Sequence, residues 1–74
     1  MTKKDFQFLI DTKKELEFDF NGITYCLNYG KDNYGKDVII FGRTFEGKSY
    51  EDLGTLLNTA KIDNKFFREI IEDL

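Results

Sequence analysis

The segment ELEFDFNGITYCLNY, residues 15–29, constrains the fold more than any other stretch. Leu16, Phe18 and Phe20 alternate with charged residues, Asn21-Gly22 follows, and Ile23, Tyr25 and Leu27 alternate again. Period-two hydrophobicity on both sides of an Asn-Gly pair predicts a two-residue hairpin, because a type I′ turn needs positive φ at both central positions. That turn pairs Phe20 with Ile23, Phe18 with Tyr25 and Leu16 with Leu27. All three pairs are large and apolar, so turn chemistry and hydrophobic pattern select one register. The opposite face then carries Glu15, Glu17 and Asp19 beside Thr24, Cys26 and Asn28.

A third strand is predicted over DVIIFGRTF, after a loop GKDNYGK too short for a crossover, so it runs antiparallel to the second. Val38, Ile39, Ile40 and Phe41 are all apolar, which breaks the alternation. Placing Ile39, Phe41 and Phe45 inward buries both aromatics and leaves Val38 and Ile40 on the outer face. At the N-terminus, Thr2 and Asp5 have the spacing of a capping box, and Phe6, Leu9 and Ile10 share one helical face, with Phe8 off it. Ser49 and Asp52 repeat that spacing and predict a helix to about Ala60, with Tyr50, Leu53, Leu56 and Leu57 facing the sheet. Asp63 or Asn64 is expected to cap a last helix carrying Phe66, Phe67, Ile70, Ile71 and Leu74, with Ile62 as a plug between helices. The expected fold class is α+β: one domain, residues 1–74, with a three-stranded antiparallel β-meander, an N-terminal helix and two C-terminal helices (α-β-β-β-α-α).

A chain of 74 residues has a small core, but its eight Phe and four Tyr supply much burial per side chain. Cys26 is the single cysteine, so no intramolecular disulfide supports the fold, which suits a reducing compartment. The first residues lack the apolar core of a signal peptide, and no apolar run reaches the ~20 residues of a membrane span. A cytoplasmic protein with no membrane partner is the expectation. Net charge is −3 and no segment forms a basic stripe, so the footprint of duplex nucleic-acid binding is absent.

The pattern G-x-x-x-x-G-K-S, with Gly42, Gly47, Lys48 and Ser49 in register, invites a phosphate-loop reading. Against it, no strand remains after the following helix to build a parallel sheet. Glu46 would repel phosphate within the cradle, and Phe45 would obstruct close backbone approach. The near-match GKDNYGKD beside it shows how readily this glycine- and lysine-containing region generates the pattern. Catalysis is not expected either. The chain has no histidine, the commonest general base. Cys26 lacks a His partner and stands beside acidic residues, not the electropositive surroundings of a reactive thiol. No metal or other cofactor is expected, since DNYGKD has too few oxygens at calcium spacing, and zinc would lack clustered Cys and His.

Nucleotide or phosphate binding at the GRTFEGKS loop stays as one alternative, and two further binding classes stand beside it. Tyr25, Tyr29, Tyr34 and Phe41 lie in or near strands and could stack single-stranded bases, although the register sends most of them toward the helices. Alternatively, Val38 and Ile40, with Cys26 and Thr24 beside them and Glu17 and Asp19 on the flank, form a partner-binding patch at a sheet edge. Either the first helix covers that patch or it docks onto another copy, giving a homodimer, or onto a different protein. The expected function is a non-enzymatic protein-interaction module, a small regulator or inhibitor of a larger protein.

FDFNGITYCLNYG (18–30) and YEDLGTLLNTAKIDNKFFREI (50–70) also resemble a group of small uncharacterised proteins common in Firmicutes and their mobile elements. The shared features are F-x-[YF]-N-G-x-x-Y and a helix followed by K-I-D-[GN]-K. The resemblance covers more than half the chain. It implies the meander-plus-helices fold and a phage or prophage association, and it carries over no active site. The longer N-terminal helix and the extended GKDNYGK loop depart from the group's pattern.

Overall fold

A computed structural model describes residues 1–73. The elements are α1 (Lys3–Asp11), β1 (Leu16–Phe20), β2 (Ile23–Lys31), β3 (Asp37–Arg43), β4 (Lys48–Tyr50), α2 (Leu53–Thr59), β5 (Lys61–Ile62), β6 (Lys65–Phe66) and α3 (Phe67–Ile70), with a 3-10 turn at Ile71–Asp73. The fold is α+β. Its main sheet has four antiparallel strands in the order β1-β2-β3-β4, and β5 and β6 form a separate two-stranded ribbon.

The first hairpin has the register its sequence dictates: Leu16 opposite Leu27, Phe18 opposite Tyr25, Phe20 opposite Ile23. Asn21 and Gly22 take φ of 52° and 79°, as a type I′ turn requires. β2 then continues through Gly30 to Lys31, so the expected loop shrinks to residues 32–36. There Asp32 Oδ1 accepts from the backbone N–H of Tyr34 and of Lys36, at 2.8 and 2.9 Å. Those two bonds hold the Asp32 carboxyl below its ordinary range.

α1 opens with the expected box: Thr2 Oγ1 accepts from Asp5 N–H at 3.1 Å, and Asp5 accepts from Thr2 N–H at 3.4 Å. Its Phe6 is fully buried and meets Phe67 edge-on, with ring centroids 5.3 Å apart. Phe41 stacks on Phe67 at 4.4 Å, and Phe18 stacks on Tyr25 at 5.8 Å. Leu53, Leu56 and Leu57 of α2, with Ile62, Ile70 and Ile71, close the core around these rings. α1, α2 and α3 therefore all contribute their buried residues to one side of the sheet.

Several expectations need correction, the first being that the sheet has four strands and not three. Ser49 caps nothing: it lies in β4, pairing with Ile40, while Asp52 alone caps α2 by accepting from Thr55 N–H at 2.8 Å. A box-like spacing concealed a three-residue strand, and Tyr50 faces the core from that strand rather than from a helix. Asp63 and Asn64 do not cap the last helix. They are the positive-φ turn of the β5–β6 ribbon, at 51° and 67°, a conformation their short polar side chains tolerate. α3 is accordingly a single turn that begins at Phe67. Phe66, expected in its apolar face, is half-buried, with Lys61 Nζ and Arg68 Cζ over its ring at 4.8 and 4.7 Å. Phe45, expected inward, is wholly exposed, because the strand ends before it. Ile62 is buried as a plug should be, and Leu74 lies outside the described residues.

Candidate docking face

Among the described residues, the helices pack on one side of the sheet and none packs on the other. Alternation places Glu17 and Asp19 of β1, Thr24, Cys26 and Asn28 of β2, Val38 and Ile40 of β3 and Ser49 of β4 there. The residues Val38, Ile40, Cys26, Thr24, Glu17 and Asp19 thus share one face. α1 does not cover it, since Phe6 anchors that helix in the core on the opposite side. The face is not at a sheet edge as expected, however. β4 pairs with β3, so β3 is internal, and the outermost strands are β1 and β4.

Local bonds order the face. Thr24 Oγ1 donates to Asp19 Oδ1 at 2.6 Å. The Cys26 thiol points at Glu17 Oε2, 3.9 Å away, and lies 3.5 Å from Thr44 Oγ1. Val38 is only 8% exposed, and the Lys36–Glu51 ion pair, 3.0 Å long, borders the same hollow as Val38. Hydrogen bonding to Glu51 raises the Lys36 amine above its ordinary value. Ile40 lies across two glycines. A Cβ on Gly30 would come within 2.9 Å of Ile40 Cδ1, and one on Gly47 within 2.7 Å of Ile40 Cγ2.

The β3–β4 connection curls onto this face. A Cβ on Gly42 would stand 2.7 Å from the Glu46 carbonyl oxygen, so only glycine admits the loop there. Glu46 N–H donates to Arg43 O at 2.8 Å, closing a four-residue turn with Phe45 in third position at φ 69°. That position ordinarily takes Gly or Asn, since positive φ is strained for a bulky residue. Phe45 borders a hollow of about 400 Å³ together with Cys26, Asn28, Ile40, Gly42 and Gly47. Sequence reasoning missed this aromatic, because hydrophobicity alone sent it to the core.

The G-x-x-x-x-G-K-S segment is a hairpin between antiparallel strands. Lys48 pairs with inward-facing Phe41 and Ser49 with outward-facing Ile40, so the two side chains leave opposite faces and do not converge on one phosphate. The four candidate stacking aromatics are elsewhere than on the bare face. Tyr25 and Phe41 are in the core, and the Tyr29 hydroxyl donates to Lys14 O at 2.7 Å on the helix side. Tyr34 is exposed at the tip of the β2–β3 turn. Among the described residues no side chains group as metal ligands, none of the polar or charged side chains is buried, and no helix is long and apolar enough to cross a membrane. No family model, curated protein or solved structure matches this chain.

Proposed function

We propose that this chain is a non-enzymatic protein-interaction module, a small regulator or inhibitor that docks on a larger protein through the outer face of its sheet. One observation carries the reading: the buried residues of all three helices lie on the inner face, while Ile40, Cys26 and the Phe45 turn stay on an outer face where no helix packs among the described residues. Apolar surface rimmed by polar groups is the common form of a protein contact site. The rim here is acidic, from Glu15 just before β1 and Glu17 and Asp19 on it, so the partner is a protein with a basic surface beside an apolar one. A second copy fits less well. It would bring the same acidic row, and Lys36 on this face is already engaged by Glu51.

The test is a pull-down from the source cell with wild type, Ile40→Asp and Asn28→Arg, each shown folded by circular dichroism. A protein retained by wild type and lost with both variants, and released by salt, supports the reading. Equal retention by all three sinks it, as would nucleotide hydrolysis that Lys48→Ala abolishes.

A further inference from the structure

The hollow beside Phe45 does not end at β3. A second one, of about 320 Å³, shares Cys26 and Asn28 with it and reaches Glu17 on β1 and Glu15 just before that strand. The two hollows adjoin at Cys26 and Asn28, and we treat them as one trough across three strands, with Ile40, Phe45 and the Arg43 cation at one end and Glu15 and Glu17 at the other. Glu17 makes no ion pair among the described residues, and its polar contact is the long one from the Cys26 thiol, so its carboxylate is open to an incoming cation.

We propose that this trough is a peptide groove for an extended basic segment of the partner protein. A large apolar side chain of the partner sits against Phe45 and Ile40, and a lysine or arginine pairs with Glu17. The geometry sets the spacing. β1 and β3 are two strand intervals apart, about 10 Å at ~4.8 Å each, which an extended chain covers in about three residues. The motif is therefore an apolar residue with a basic one three or four positions away. The inference rests on the outer face being the docking surface, and it names the element that face receives.

The unusual build of the Phe45 turn fits this use. An aromatic held at positive φ and fully in water serves no packing within the chain, yet it forms a wall of the groove. Strained backbone of this kind concentrates at ligand-binding positions. Aromatic-lined grooves are also a recurrent arrangement in the recognition of extended segments.

A random-peptide display library selected on the immobilised full chain at low salt tests the groove. The expected result is enrichment of peptides with a large apolar residue three or four positions from Lys or Arg. A synthetic peptide of the enriched sequence, followed by fluorescence anisotropy, should bind at least tenfold more weakly to Phe45→Gly and to Glu17→Lys. Its affinity should also fall as salt rises from 50 to 500 mM, as screening of an exposed ion pair requires. No enrichment, enrichment of acidic peptides, or binding insensitive to both variants would overturn the groove. If that happens while the pull-down still loses its partner with Ile40→Asp and Asn28→Arg, the face docks a folded surface instead of a segment. If both experiments fail, the docking face itself is wrong.

Discussion

On the inner face of the sheet, Phe18, Tyr25 and Phe41 form a tier of near-parallel rings that Phe67 extends. On the outer face the same strands present Gly30, Gly42, a half-exposed cysteine and one isoleucine spread over glycines. Strand alternation produces both faces from adjacent residues, so the difference lies in side-chain choice and not in backbone. Large rings inward give burial, where about 25 cal/mol per Å² of apolar area accumulates. Small residues outward leave troughs, which add little to stability and leave room for another chain. Core mutations should therefore unfold the protein, while outer-face mutations should change what it binds.

Phe67→Ala should have the largest effect. Phe67 is fully buried, stacks on Phe41 at 4.4 Å and takes the edge of Phe6. Truncating such a residue costs about 3–5 kcal/mol, against a total of roughly 4–11 kcal/mol for a domain of this length. Urea unfolding should show a midpoint reduced by about a quarter or more, or no folded baseline. A loss under about 1 kcal/mol would mean that the aromatic tier is not what holds α3 to the sheet.

How legible each face was in the sequence follows from the same physics. The first hairpin could be read to the residue because Asn21-Gly22 and six alternating apolar positions demand one register. The outer-face residues of β1 and β2 followed from that register by parity, and Val38 and Ile40 from placing Ile39 and Phe41 inward. β4 could not be read: three residues carry too little pattern, and Ser49 and Asp52 imitate a helix start. The Asp63-Asn64 turn was hidden in the same way, since both residue types serve as caps and as positive-φ turn residues. Phe45 was hidden because a phenylalanine three residues past a buried strand reads as core. Only the bond from Glu46 N–H to Arg43 O reveals that the strand has ended. The trough was hidden as well, since it depends on where that loop comes to rest above Gly42.

The Phe45 turn gives a second test of the contrast, with the opposite sign. Holding a non-glycine residue at positive φ costs about 1–2 kcal/mol, and Phe45 recovers none of it by burial. Phe45→Gly relieves that strain, while the freer unfolded chain offsets part of the gain. The expected net is a stabilisation of about 1 kcal/mol, which raises the midpoint of a domain this size by ~4–8 °C. Differential scanning calorimetry would measure it. A lower midpoint would show that the ring packs within the chain, and the idea of an aromatic reserved for a partner would fall.

The smallest effect is the response to pH, because no charged side chain is buried among the described residues. Titration must then act at the margins of the fold. Asp52 lies below the ordinary carboxyl value because the backbone N–H of Thr55 donates to it, and Asp32 does so through the N–H groups of Lys36 and Tyr34. A carboxyl whose folded pKa is depressed contributes stability that is complete above its unfolded value, here 3.8, and is lost as pH falls through the folded one. Lys31 and Lys36 are raised by hydrogen bonds to Asp37 and Glu51, so their contribution is complete below 10.5 and lost as pH climbs past it. The melting temperature should therefore be level from about pH 5 to pH 9 and decline at both ends. Asp52→Asn keeps a side-chain oxygen able to cap α2 while removing the titration. Its acid-side decline should be shallower than that of wild type, and the plateau little changed. A decline that begins near neutrality in both proteins would require a titrating group inside the core, where the aromatic tier leaves no place for one.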